Sequence, residues 1–189
     1  MPSIRSFISI PITNEIGEAI SAVQQRIKSF GANVQWESPE KFHLTLKFLG
    51  DAEPLRVLSV SDKLKHSFSS QPPFTITFSA AGAFPTIHQP RIVWVGAEPS
   101  EQLQAIVRTV EQSASVFGFE LEERPFHAHI TIGRVKSNRN IHGLTEALKN
   151  IMFEPIILEC SEIRIVKSEL HPAGSVYSTL DSIRLTSLR

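Results

Sequence analysis

The sequence predicts a protein of mixed helices and strands built as two related halves, and three observations carry that expectation. The stretches Phe42-His43-Leu44-Thr45-Leu46-Lys47 and Phe126-His127-Ala128-His129-Ile130-Thr131-Ile132-Gly133-Arg134 each hold a His and a Thr two positions apart among aliphatic residues. The two histidines stand 86 positions apart, and the same offset carries Arg5, at the head of one apolar run, onto Arg91 at the head of another. Each apolar run leads into a helical pattern and then into a His-Thr stretch. Strand, helix and strand thus recur in order, as in an internal duplication.

Taken along the chain, Arg5 to Pro11 is a short Phe- and Ile-rich run closed by a proline, which reads as a first strand. Thr13 or Asn14 then caps a helix whose Ile16, Ile20, Val23 and Ile27 share one face, with Gly31 as terminator. Val34 to Glu37 is a short strand, and Phe42 to Leu49 the first motif strand, ended by Gly50-Asp51. Pro54 to about Phe68 reads as a helix with Leu55, Leu58 and Leu64 on one side. Phe74 to Phe78 alternates apolar residues with threonines, the period of a half-exposed strand, and continues irregularly to Phe84-Pro85.

The second half repeats the pattern. Arg91 to Gly96 is a strand, Pro99-Ser100-Glu101 opens a helix carrying Leu103, Ile106, Val107 and Val110 on one face, and Gly118 ends it. The second motif strand runs from Phe126 to Val135, followed by a short helix around Leu144 to Asn150 and a strand from Pro155 to Val166. Ser168 to Tyr177 reads as a hairpin turned by Pro172 and Gly174, and Val176 to Leu185 returns as a strand. Residues 1–189 are expected to form one domain, with a duplication over about 5–85 and 91–166 and a C-terminal hairpin over 168–186.

Composition narrows the function classes. The chain has 189 residues, enough to bury a sizeable core, and its 19 basic and 19 acidic residues give a formal net charge of zero. A global attraction to nucleic acid is therefore not expected, and any such substrate must be held by a local site. The single cysteine, Cys160, reads as a small buried hydrophobe and fits a reducing compartment. The start, Met1-Pro2-Ser3-Ile4-Arg5, lacks the charged head and apolar core of a signal peptide, and no apolar run has the length of a membrane span. A cytoplasmic protein without a membrane partner is expected, with a monomer as the expected state.

Residues i and i+2 of a strand point to one face, so each motif offers an imidazole and a hydroxyl side by side. Two histidines facing one site can act as general base and general acid, because imidazole titrates near neutral pH. That pair suits phosphodiester chemistry: one deprotonates the attacking oxygen and the other protonates the departing one, each contributing ~10²–10⁴-fold. Thr45 and Thr131 can hydrogen-bond non-bridging phosphate oxygens. No step of this scheme needs a metal or another cofactor.

The doubled His-x-Thr-x pattern resembles the 2H phosphoesterase superfamily, and within it the RNA 2′,3′-cyclic phosphodiesterases, also called 2′-5′ RNA ligases. Phe42 to Gly50, Arg124 to Arg134 and the Ser168 to Tyr177 hairpin carry the likeness, in order along nearly the whole chain. One departure is Ala128, where the family often has proline. The resemblance implies an α+β fold of two pseudo-symmetric lobes, each an antiparallel sheet with outer helices, with the active-site cleft between the two sheets. It implies hydrolysis of RNA 2′,3′-cyclic phosphate ends to 2′-phosphates, with His43 as proton donor, His129 as proton acceptor, and Thr45 and Thr131 binding the phosphate. RNA 3′ ends or small cyclic nucleotides are the implied substrates, and joining of RNA ends by a 2′-5′ linkage the implied reverse activity. The alternatives are a zinc hydrolase using His43, His127 and His129, and a non-catalytic RNA-end binding module.

Six further residues are candidates. Strand parity puts His127 on the face of His129. The family carries an arginine at Arg134, but an even-numbered residue faces away from His129 unless the strand is bulged, and Gly133 permits a bulge there. Lys47 has the parity of His43 and Thr45 and is a candidate to line the cleft. Phe7, Phe48 and Phe84 are candidates to stack on a base, against a competing role in the core. His66, His88, His142 and His171 read as exposed polar residues.

Overall fold

The structure is a computed structural model and describes residues 3–172 and 174–186. Met1 and Pro2, at the start read as lacking a signal peptide, and Ala173, inside the hairpin turn, lie outside the described residues. The chain runs β1 (Ile4–Pro11), α1 (Asn14–Lys28), β2 (Val34–Trp36), a 3-10 turn (Pro39–Lys41), β3 (His43–Ala52), α2 (Pro54–Ser67), β4 (Phe74–Thr86) and β5 (Gln89–Ala97). It continues with α3 (Glu101–Ser115), β6 (His129–Val135), α4 (Ile141–Asn150), β7 (Ile156–Cys160), β8 (Glu162–His171) and β9 (Gly174–Arg184).

The helices start where side chains can satisfy free backbone N–H groups. Thr13 Oγ1 accepts from Ile16 N at 3.4 Å at the head of α1, and Ser100 Oγ accepts from Leu103 N at 3.2 Å at the head of α3. Gly31 and Gly118, with φ of 74° and 76°, take the left-handed conformation after α1 and α3 that a side chain would disfavour. Ile20, Val23 and Ile27 of α1, and Leu103, Ile106, Val107 and Val110 of α3, are buried. The α2 helix forms where expected but buries Val57, Val60, Ser61 and Leu64, while Leu55 and Leu58 face solvent. Ser61 is tolerated inside because its hydroxyl donates to Asp181 of β9 at 2.5 Å.

The strands form one antiparallel arrangement in the order β7-β4-β5-β6-β3-β1-β8-β9, with β2 paired to β6. That order is palindromic under the duplication: β6, β5 and β4 on one side answer to β3, β1 and β8 on the other. The two lobes are joined at the centre through the pair Leu44↔Ile130 of β3 and β6. Structural lobes and sequence halves do not coincide, because β4 pairs with β5 and β8 pairs with β1. Each half of the sequence thus sends a strand into the opposite lobe.

This crossing overturns the expectation of a single strand from Pro155 to Val166. The segment is two strands broken at Ser161: β7 completes one lobe against β4, and β8 belongs to the other lobe against β1 and β9. Leu185 N donates to Ser161 O at 2.9 Å and holds the crossing point. The second motif strand also starts later than expected, at His129 rather than Phe126, although Ala97 N still donates to Ala128 O at 2.9 Å. Among the described residues no helix is long and apolar enough to cross a membrane.

Candidate active site

Leu44 and Ile130 are fully buried, and they fix the faces of β3 and β6 at the only ladder pair between these two strands. His43 and Thr45 flank Leu44, and His129 and Thr131 flank Ile130, so all four take the opposite face and are half-buried. Antiparallel order runs His43 toward Thr131 and Thr45 toward His129, so each imidazole has the other motif's hydroxyl across from it.

The two rings are held alike. His43 Nδ1 lies 2.8 Å from Lys41 O, and His129 Nδ1 lies 2.7 Å from His127 O, each carbonyl two residues upstream. A carbonyl only accepts, so Nδ1 carries the proton in both rings. Nε2 is then left as acceptor in the neutral ring and donor in the charged one, which are the two states an acid–base pair needs. Burial pushes both imidazoles below their ordinary value of 6.5. At His43 the Lys41 carbonyl and the Glu37 carboxylate oppose that shift, whereas His129 and Arg134 add to it.

Bulges set the remaining polar residues. Along β5, Val93 pairs with Gly133 and Trp94 with Thr131, so Ile132 of β6 is an extra residue. Along β1, Ile8 pairs with Lys47 and Ser9 with Thr45, so Leu46 of β3 is extra as well. Leu46 and Ile132 are themselves related by the 86-position offset. The β6 bulge reverses parity beyond it, and Arg134 is brought round so that its Nε donates to Glu37 Oε1 at 3.3 Å and its charge acts on His43. The bulge falls one residue before Gly133, whose own role is close approach: a Cβ there would stand 2.6 Å from Val34 Cγ1 and 2.9 Å from Trp36 Cε3.

The same effect overturns the expectation for Lys47. The extra Leu46 turns it out of the cleft into the space beneath α3, where it is 7% exposed and its Nζ donates to Glu111 Oε2 at 2.6 Å and Glu120 O at 2.7 Å. Phe48 comes round in its place, 70% exposed and 6.0 Å from Phe7 between ring centroids.

Aromatic rings wall both histidines. Phe7 is buried yet stacks on His43 at 4.7 Å, and Tyr177 of β9 meets His43 edge-on at 5.2 Å and Phe7 at 5.3 Å. Beside this wall lies an open pocket lined by Lys41, His43, Arg164 and Thr179 among others. Phe84 meets His129 edge-on at 4.9 Å and His127 at 5.1 Å, and Trp94 stands 4.9 Å from His127. Trp94 fits because Gly82 and Gly96 leave room, a Cβ at either coming within 2.7 Å of its indole. Tyr177, Trp94 and Glu37 are site neighbours that strand patterns alone did not single out; the hairpin signature was the one cue to Tyr177.

The zinc reading needs His43, His127 and His129 to converge on one ion. Among the described residues no three His, Cys, Asp or Glu side chains are grouped to share one. His66, His88, His142 and His171 are exposed, as expected. Cys160 is buried, which pushes its thiol up to about 12.

The family described as LigT like Phosphoesterase matches the chain twice, over residues 10–94 and 95–177, one motif in each match. This chain belongs to the LigT-like phosphoesterase family. Among its relatives, the RNA 2′,3′-cyclic phosphodiesterase of Methanothermobacter thermautotrophicus is 31% identical over 183 residues, covering 96% of this chain and 99% of that one. A protein of the same name from Thermotoga maritima is 30% identical over 177 residues, covering 94% and 93%. The crystal structure of E. coli LigT complexed with 3′-AMP superimposes with a TM-score of 0.77 at 26% identity, over 98% of this chain and 99% of that one. TT0787 of Thermus thermophilus shares the fold, with a TM-score of 0.81 at 22% identity and coverage of 98% and 100%. The two matches to the LigT-like phosphoesterase family, one over each half, agree with the duplication seen in the doubled motif and in the strand order.

Proposed function

We propose that this LigT-like phosphoesterase hydrolyses RNA 2′,3′-cyclic phosphate ends to 2′-phosphates by proton transfer between two histidines, without a metal. The matched fixing of the two rings carries this reading: each Nδ1 is tied to the carbonyl two residues back, and each Nε2 is left for the cleft. His129 Nε2 takes a proton from water as its oxygen bonds to phosphorus. The P–O3′ bond breaks, and His43 Nε2 gives its proton to O3′, leaving a 3′-hydroxyl and a 2′-phosphate. The hydroxyls of Thr45 and Thr131 and the guanidinium of Arg134 hold the non-bridging oxygens and steady the charge that grows on them. Phe48, Phe84, Trp94, Tyr177 and the His127 ring offer faces to the flanking nucleosides, as aromatic side chains do for unstacked RNA bases, while the buried Phe7 backs the His43 ring.

The resemblance to the cyclic phosphodiesterases gives the donor role to His43, where the Glu37 carboxylate favours the charged form that a donor needs, against burial and the opposing charges of Arg134 and His129. Net neutrality agrees with a short end held locally rather than a long duplex. A 5′-hydroxyl in the place of water would join two RNA ends through a 2′-5′ linkage by the same proton transfers. The test is an oligoribonucleotide with a 2′,3′-cyclic phosphate end, incubated with enzyme pretreated with a strong chelator. The reading predicts full conversion to the 2′-phosphate at an undiminished rate. A 3′-phosphate product, or a rate abolished by chelation and restored by zinc, would overturn it.

A further inference from the structure

A carboxylate stands where an anion is to bind. Glu37 follows β2, its side chain is only 20% exposed, and its Oε1 accepts from Arg134 Nε at 3.3 Å. Its backbone is fixed to the β6 bulge: Glu37 N donates to Ile132 O at 3.0 Å. The buried Gln24 of α1 spans the same point, its Nε2 donating to Glu37 O at 2.7 Å and Ile132 O at 2.8 Å. Glu37 is therefore no loose surface acid. The turn that brings Arg134 into the site and the residue that opposes its charge are held by one set of hydrogen bonds. The charged and titratable groups around it are Arg134 of β6, His43 of β3 and Tyr177 of β9, and its negative charge acts on the last two.

A cyclic phosphodiester carries one negative charge, whereas its monoester product carries nearly two at neutral pH, since the second proton of such phosphates leaves near ~6. Repulsion by a fixed carboxylate grows in proportion to the ligand's charge. We propose that Glu37 is a specificity residue that selects by charge: held against Arg134, it weakens the site for a dianionic phosphomonoester relative to a monoanionic diester, and so favours the substrate over its own product. The inference rests on the cyclic-phosphodiesterase reading above. It adds that this site contains a built-in relief from product inhibition, supplied by a residue that makes no contact with the departing or attacking oxygen.

The test uses two ligands that cannot react, 3′-deoxyadenosine 2′-phosphate and its methyl ester. They share a nucleoside and differ by one charge at pH 7.5. Their affinities are measured by calorimetry for the intact enzyme and for Glu37→Gln, which keeps an oxygen to accept from Arg134 Nε, with Glu37→Asp as the charge-restoring variant. The expected result is a gain of about fivefold in affinity for the dianion and about twofold for the monoanion in Glu37→Gln, the size of a partly exposed ion pair. Glu37→Asp should return most of the difference. In turnover of 2′,3′-cyclic AMP, inhibition by added 2′-AMP should deepen in Glu37→Gln more than KM falls. Equal changes for the two ligands, or none, would overturn the charge-selection role and leave the hydrolytic reading standing. Wild-type enzyme that binds neither ligand and does not hydrolyse 2′,3′-cyclic AMP would overturn both.

Discussion

His43 and His129 differ less in how they are held than in what surrounds them. Both rings are fixed through Nδ1 to an upstream carbonyl, and both are pushed below 6.5 by burial. A base works only when neutral and an acid only when charged, so kcat/KM should trace a bell against pH. With both groups lowered in the free enzyme, the bell should centre below pH 6.5. Bound phosphate adds negative charge beside both rings and raises both pKa values, so the kcat profile should lie at higher pH than the kcat/KM profile. Steady-state kinetics across the acid and neutral range checks this, and a kcat/KM optimum well above 6.5 would contradict it. The histidines and threonines were legible because a His-x-Thr repeat at a fixed offset is a strong pattern. Glu37 was not, because one glutamate at the end of a short strand shows no partner until Arg134, 97 positions on, is folded against it.

At the scale of elements, bulges decide which side chains meet. Parity required a bulge before Arg134 could turn to the face of His129, and one lies at Ile132, a residue before the Gly133 that suggested it. Nothing marked Leu46, because an extra leucine among leucines looks like an ordinary strand position. Its bulge sends Lys47 beneath α3 to Glu111, both of them largely buried. Replacing Lys47 with methionine keeps the packing but strips Glu111 of its partner, and breaking such a pair typically costs about 3 kcal/mol. Lys47→Met should therefore lower the urea midpoint markedly while kcat/KM at low temperature stays within about twofold, because the lysine's contacts are structural. A large loss of kcat/KM in fully folded Lys47→Met protein would put Lys47 back in the cleft. In α2, likewise, Leu55 and Leu58 suggested the wrong face, and of the three leucines only Leu64 is buried. Val57 and Val60 are buried beside it, and Ser61 joins them through Asp181, a partner 120 residues away in sequence.

On the scale of the whole molecule, the duplication was visible as an offset, but the exchange of β4 and β8 between lobes was not. Strand periodicity says which face is buried and nothing of which neighbour a strand takes. The lobes are tied together at three places, the β3–β6 seam and the two crossing strands. This arrangement holds two equivalent histidines on one continuous face, and in the proposed reaction each half of the sequence supplies one proton-transfer group. The most direct test of that claim is the rate of 2′,3′-cyclic AMP hydrolysis by His43→Ala, His129→Ala and the double variant, with folding checked by circular dichroism. Each single substitution should cost ~10²–10⁴-fold, and the double variant should be little worse than the poorer single, as for groups that act as a unit. Near-normal turnover in either single variant would contradict the paired-histidine account.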